Sequence, residues 1–153
     1  MTGENFAGNI IVNLSSLPDF LRTPMLKKRM VEFFSLDESD RNEVINNALE
    51  AGPTIPFPNF SKLFKTWLKI LVNLSEEQRE GIFSAYIIEI SQNPQKLILF
   101  NLDGILEIFL TLEENEKDTL SKTIKKIIGE LKEEQKRRMQ IIIPDNAKKY
   151  LKF

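Results

Sequence analysis

One short pattern occurs three times in this chain and constrains its fold more than any other feature. An apolar run ends at a leucine, an acidic stretch follows, and a basic residue lies five positions after the leucine. Leu36, Leu74 and Leu112 are 38 residues apart each time. A period of this length is typical of repeated helical units, each of which buries its apolar face against the next. The basic residues at this offset are Arg41, Arg79 and Lys117.

Each copy of the pattern also carries the signal for a helix start. A small polar or acidic residue that opens a helix accepts a hydrogen bond from a free backbone N–H, and a Glu or Gln three positions later reaches back. Two frames fit this spacing, and the sequence leaves both open. The helices open at Ser35, Asn73 and Thr111 in one frame, and at Asp37, Ser75 and Glu113 in the other.

Apolar residues at helical spacing fill the segments between these junctions. We therefore predict an all-α fold of three tandem antiparallel helical hairpins, a short α-solenoid-like stack with a C-terminal capping helix. An irregular six- or seven-helix bundle is the alternative. Apolar character is kept in all three units at Leu26/Phe64/Leu102, Met30/Leu68/Leu106, Phe33/Leu71/Phe109, Val44/Ile82/Leu120 and Ala48/Tyr86/Ile124.

Helix-breaking residues place the predicted boundaries. Thr23-Pro24 is expected to break or restart the first helix, and the proline-rich residues 53–58 are expected to form a non-helical connector. The third hairpin is expected to open at Asn93-Pro94 with a helix that is apolar on most sides and enclosed by neighbours. The expected segments are a partly irregular N-terminal arm (1–16) and a single helical domain (17–153), with hairpins at about 19–56, 57–94 and 95–130 and a cap at 131–153.

The absence of cysteine and histidine excludes several classes of function. Disulfides, thiolate nucleophiles, Cys/His zinc sites and imidazole acid–base catalysis all require these residues. The densest acidic groups lie in the first turns of predicted helices, where the helix dipole accounts for them. Asp103 and Glu107 are expected to line the one solvated stripe of their helix. We predict no catalytic residue, no metal site and no cofactor, and therefore a protein that is not an enzyme.

The chain shows no signal for a membrane span or for secretion. The most apolar segment, Leu97 to Leu112, is interrupted by Asn101, Asp103 and Glu107, so we expect no membrane span. The N-terminal segment lacks the apolar core of a signal peptide. We therefore expect a cytoplasmic location.

Charge is distributed unevenly along the chain. Residues 1–120 hold 11 Lys/Arg against 18 Asp/Glu, a net of −7, whereas residues 121–153 hold 10 against 4, a net of +6. A basic amphipathic segment can bind nucleic acid, an anionic membrane or an acidic protein, although a solvated helix face is the simpler explanation. The basic residues of this segment form a row on one helix face if the helix is continuous, and a break near Gly129 would divide that row. Its candidate partner-binding residues are Lys122, Lys125, Lys126, Lys132, Lys136 and Arg137.

Phe57, between two prolines, is the other candidate partner-binding residue, because large aromatic side chains dominate many interfaces. The leading hypothesis is a non-catalytic helical-repeat module for protein–protein interaction, an adaptor with a protein partner. Nucleic-acid binding through the basic C-terminal face is the first alternative, and a helical domain that binds an apolar ligand is the second. The uneven charge also suggests a homo-oligomer that joins acidic and basic ends.

Overall fold

The computed structural model describes residues 6–145 and 147–148, and all regular structure within them is helical. The predicted all-α fold is confirmed for these residues, which contain no strand. Residues 1–5, 146 and 149–153 of the predicted arm and cap lie outside the described residues. The helices are α1 (Phe6–Ser15), α2 (Asp19–Glu32), α3 (Glu38–Ala51), α4 (Phe57–Asn73), α5 (Glu76–Gln92), α6 (Gln95–Ile98), α7 (Leu102–Leu110), α8 (Glu114–Glu130) and α9 (Glu133–Ile142).

The chain divides into two compact units, residues 1–70 and residues 71–153. In the first unit α1 packs against α3 and α2, and in the second α5 packs against α8 and α9. The helix order follows the predicted hairpins, with α2/α3 and α4/α5 as the first two and α6 to α8 as the third. The stacking of these hairpins and the single domain over residues 17–153 stay predictions.

The N-terminal arm differs from the expectation, because residues 6–15 form the helix α1. Asn and Gly residues lower its intrinsic helix propensity, which is why the sequence pattern there is weak. Leu14 is only 3% exposed, and α1 packs on α3. Tertiary packing of an apolar face therefore stabilises a helix that propensity alone does not predict.

Proline breaks the helices less than expected. Pro24 lies inside α2, which runs without interruption from Asp19 to Glu32, so the predicted break there is wrong. In the connector, Gly52–Thr54 forms a single 3-10 turn and α4 already begins at Phe57. Pro58 thus occupies the first turn of α4, where its missing N–H would have no helical partner.

The first helix of the third hairpin is divided in two, which the sequence analysis did not anticipate. The short helix α6 ends at Ile98, and α7 begins after Asn101, whose side chain accepts a hydrogen bond from the Gly104 N–H at 2.9 Å. Asn is a strong N-cap residue, and it starts a new helix where the apolar pattern suggested one continuous helix. Ile98 and Leu99, expected to be enclosed, are exposed at this break.

The repeated pattern forms the same backbone structure at every copy. Each leucine donates its N–H to the carbonyl oxygen three residues earlier, which closes the preceding helix. The N···O distances are 3.3 Å for Leu36, 3.3 Å for Leu74 and 3.1 Å for Leu112. Leu131 repeats the arrangement at 3.1 Å, so the junction occurs four times in the described residues.

The residue after each leucine is the N-cap of the next helix, which decides between the two frames. The second frame is correct, because the caps are Asp37, Ser75 and Glu113 rather than the residues two positions earlier. Each cap is extended, and a side-chain hydrogen bond links it to the residue three positions later. These bonds are Asp40 N–H to Asp37 Oδ1 (2.8 Å), Gln78 N–H to Ser75 Oγ (3.1 Å), Glu113 N–H to Glu116 Oε1 (3.0 Å) and, at the fourth junction, Lys132 N–H to Gln135 Oε1 (3.2 Å).

The arginines of the pattern connect the residues on the two sides of their junctions. Arg41 and Arg79 lie near the starts of α3 and α5 and donate to carbonyl oxygens in the last turn before the junction, where the regular hydrogen bonds of the preceding helix stop. A planar guanidinium presents several N–H groups in a fixed fork and suits this task. Arg41 donates to Phe33 O (3.1 Å) and Phe34 O (2.8 Å), and Arg79 donates to Leu71 O (2.9 Å), Val72 O (3.0 Å) and Leu74 O (2.9 Å).

The apolar positions that the 38-residue shift aligns are buried or half-buried in all three hairpins. Leu71 and Leu120 are 0% exposed, and Ile82 is 3% exposed. The pattern therefore identifies the inward faces of these helices correctly. Trp67 is half-buried and stacks on Phe64 with ring centroids 5.7 Å apart.

Gly129 lies inside α8, one residue before the helix ends, and nothing lies within 4 Å of a Cβ built on it. Alanine loses less backbone entropy on folding than glycine does. We expect Gly129→Ala to raise the free energy of unfolding by about 0.5–1 kcal/mol, measured by urea denaturation. An unchanged or lower stability would contradict the helical assignment at this position.

Candidate interaction surfaces

The basic C-terminal residues do not form one continuous face. The chain leaves α8 after Glu130, and Lys132 is the N-cap of α9. The row therefore splits into Lys122, Lys125 and Lys126 on α8 and Lys132, Lys136 and Arg137 at α9, as the sequence suggested for a break near Gly129.

Two of these six residues form ion pairs within the protein. Lys126 Nζ lies 2.7 Å from Glu80 Oε1 on α5, and the hydrogen bond and charge of Glu80 raise the pKa of Lys126. Lys136 Nζ lies 3.6 Å from Glu133 Oε1. The neighbouring Arg138 also binds Glu134 at 2.6 Å. The remaining four, Lys122, Lys125, Lys132 and Arg137, form no ion pair with a described residue.

The uneven charge along the chain is balanced within each compact unit. Residues 1–70 hold 8 Lys/Arg and 8 Asp/Glu, and residues 71–153 hold 13 and 14. The basic C-terminal segment thus shares a unit with the acids of residues 71–120, and α5 packs on both α8 and α9. This arrangement neutralises the basic segment within the chain. The homo-oligomer stays a prediction, and native mass spectrometry at low and high salt tests it, because a salt-insensitive monomer would contradict it.

Phe57 opens an aromatic row along α4. Its ring centroid lies 6.0 Å from that of Phe60, which stacks on Phe64 at 5.5 Å, and Phe64 stacks on Trp67. Phe57 itself is 36% exposed, at one end of the row. Phe57 contacts the row on one side and stays partly exposed, so its role as an anchor for a partner stays a prediction.

Two other groups of apolar side chains are more exposed than Phe57, and the first of them was expected to be enclosed by neighbouring helices. Ile98 and Leu99, which we call the α6 tip, are 63% and 71% exposed. Along α2, Phe20 is 75% and Met25 50% exposed.

The α6 tip is held by polar contacts on both sides. Glu89 Oε1 on α5 accepts from Lys96 Nζ at 2.8 Å and from Asn93 Nδ2 at 3.0 Å, which fixes α6 at its start. Beyond the tip, the Asn101 cap fixes the start of α7. The two aliphatic side chains therefore project from a turn with restrained ends.

The buried cation Arg22 has a structural role in the first unit. It is 2% exposed and donates through Nε to Thr66 Oγ1 at 3.0 Å, through Nη1 to the Leu17 carbonyl and through Nη2 to the Asp19 carboxylate. Burial lowers the pKa of Arg22. These bonds tie the segment between α1 and α2 to α4.

The acidic residues form no metal-binding arrangement in the described part of the chain, where no three carboxylates converge. Asp103 and Glu107 are exposed, as expected for a solvated stripe. Among the described helices none is long and apolar enough to cross a bilayer.

Tyr86 on α5 has the most perturbed acid–base equilibrium in the second unit, because burial raises the pKa of its hydroxyl from 10.0 to about 12. The unfolded chain loses this proton first as the pH rises. We expect the stability that neutral Tyr86 provides to be complete below pH 10 and to fall by about 2 kcal/mol by pH 12. Urea denaturation between pH 9 and 12 measures the loss, and Tyr86→Phe should lack it. Equal pH dependence in both proteins would contradict this assignment.

Comparison with protein-family models, curated proteins and solved structures finds no match to this chain.

Proposed function

We propose that this chain is a non-catalytic protein-interaction module and that the α6 tip is its contact with a protein partner. The observation that carries the proposal is the exposure of two adjacent aliphatic side chains, Ile98 and Leu99, at 63% and 71%. Neighbouring large apolar residues with this exposure are typical of interaction sites.

The restrained geometry of the α6 tip supports the same proposal. Its ends are fixed by the hydrogen bonds of Glu89 and by the Asn101 cap. A loop that is already ordered loses less conformational entropy when a partner binds, so more of the contact energy contributes to affinity. The polar residues around the tip resemble the rim that surrounds an apolar interface centre.

The ionisable groups with perturbed pKa values support a non-catalytic role. Arg22 and Lys126 have hydrogen-bonding partners within their own units, and Tyr86 lies on a packed helix. Each shift therefore has a structural cause, namely burial or an ion pair. The ion pairs of Lys126 and Lys136 likewise reduce the support for nucleic-acid binding through the C-terminal face.

Comparative capture tests the proposal. Tagged wild-type protein and the Ile98→Asp/Leu99→Asp variant are used to capture partners from extracts of the native host. We expect at least one partner to be retained by the wild type and lost with the variant. Ile141→Asp is the matched control, because Ile141 is 83% exposed on α9 and should retain that partner. An identical set of captured proteins with and without the tip would contradict the proposal.

A further inference from the structure

The side of α2 that faces away from the first unit is apolar in its first half. Phe20, Leu21 and Met25 are 75%, 40% and 50% exposed, and Pro24 between them is exposed as well. Successive helical residues turn by about 100°, so these four lie away from the buried stripe of Arg22, Leu26 and Met30. We call this surface the outer face of α2. The first unit buries one apolar side of α2 and leaves the apolar outer face exposed.

The second half of the same helix carries a local excess of positive charge. Lys27, Lys28 and Arg29 are consecutive and exposed. Both acids of α2 are already paired, Asp19 with Arg22 and Glu32 with Arg29, the latter at 3.2 Å. Lys27 and Lys28 form no ion pair with a described residue, so two cations remain beside the apolar surface.

We propose that the outer face of α2 binds the surface of an anionic lipid membrane, with the helix parallel to the membrane plane. Exposed apolar side chains enter the boundary between headgroups and acyl chains, and lysines beside them attract anionic headgroups. The long lysine side chains reach the phosphates while their methylene groups cover apolar surface.

The arrangement of charge favours lipid over an acidic protein as the occupant. The apolar and cationic residues follow each other along the helix rather than forming a groove that would select one partner shape. A bilayer presents anionic headgroups and apolar acyl chains at every lateral position. The outer face of α2 can therefore bind it without one fixed alignment. A protein partner would need an apolar cleft with carboxylates placed at one end. The binding uses the first unit, and it does not depend on the α6 tip in the second unit.

Vesicle co-sedimentation tests the proposal on the full chain. Vesicles of phosphatidylcholine alone are compared with vesicles that contain one part phosphatidylserine to two parts phosphatidylcholine. We expect binding to the anionic vesicles that weakens with added salt, because salt screens the lysine charges. Lys27→Gln/Lys28→Gln should lower the partition coefficient roughly thirtyfold, since each lysine near an anionic surface contributes about a factor of five.

Matched control variants show whether vesicle binding depends on the outer face of α2 or only on the total charge and the exposed apolar surface of the protein. Lys122→Gln/Lys132→Gln removes the same charge from two exposed lysines of the second unit and should bind vesicles as the wild type does. Phe20→Ser/Met25→Ser should abolish binding, whereas Leu99→Ser should not. Because all these side chains are exposed, far-UV circular dichroism and Tm should stay unchanged.

Three results would overturn the proposal. They are equal binding to neutral and anionic vesicles, an equal loss with the control lysine pair, and an absence of vesicle binding by the wild type. If the wild type does not bind vesicles, an acidic protein is the remaining candidate to bind the outer face of α2.

Discussion

Replacing Arg79 with alanine is expected to lower the free energy of unfolding by about 3 kcal/mol, because hydrogen bonds to charged groups contribute about 1.5–3 kcal/mol each and part of the loss is recovered by water. The side chain is 8% exposed and donates to three carbonyl oxygens at or just beyond the end of α4. The corresponding fall in Tm is roughly 6–12 °C. Urea denaturation followed by circular dichroism measures the free energy.

Two further variants test whether the forked arrangement of N–H groups on the Arg79 guanidinium causes this stabilisation. Arg79→Lys keeps the charge but has a single nitrogen, so its stability should lie between those of the wild type and Arg79→Ala. Arg41→Ala removes the equivalent residue of the first hairpin, which donates to two carbonyls and is half-buried, so its effect should have the same sign and be smaller. A neutral effect of Arg79→Ala would show that these hydrogen bonds do not stabilise the junction.

The sequence predicted the helices and their inward faces because one repeated pattern encodes the junctions between them. Its leucines end one helix and its caps begin the next. Spacing alone left two cap frames open, because both place a polar residue three positions before a Glu, Gln or Asp. The structure adds what spacing could not show, because Arg41 and Arg79 donate to carbonyl oxygens at the end of the preceding helical segment.

Features that depend on tertiary packing could not be read from the pattern. α1 forms because it packs on α3, and local helix propensity does not reflect that tertiary contact. The helix α2 continues through Pro24, although proline usually ends or kinks a helix. Exposure of Ile98 and Leu99 was missed because periodicity identifies apolar residues without showing which of them a neighbour covers.

Replacing Leu120 with alanine is expected to lower the free energy of unfolding by about 3 kcal/mol, within the roughly 2–5 kcal/mol typical of buried leucines. Leu120 on α8 is 0% exposed and lies in the second unit, where α8 packs on α5. The loss combines the transfer energy of the removed carbon atoms with the cavity that remains. Urea denaturation measures it.

Leu99→Ala is the matched control for this prediction. It makes the same chemical change at a side chain that is 71% exposed, and it should alter stability by less than about 0.5 kcal/mol. Equal effects at the two positions would contradict the assignment of Leu120 to the core. Since Leu120 aligns with Ile82 and Val44 in the repeat, the same comparison also tests whether the pattern marks the inward faces.

The hydrogen bonds that Arg41 and Arg79 form across the helix junctions are tested most directly by nuclear magnetic resonance of the arginine side chains. In the described residues, Nε–H groups donate in Arg22, Arg41 and Arg79, at 3.0, 3.1 and 2.9 Å. We predict three Nε–H signals with distinct shifts and slow exchange with solvent, of which two disappear in the Arg41→Ala/Arg79→Ala variant. Rapidly exchanging, overlapping signals for Arg41 and Arg79 would contradict the hydrogen bonds that these side chains form across the helix junctions.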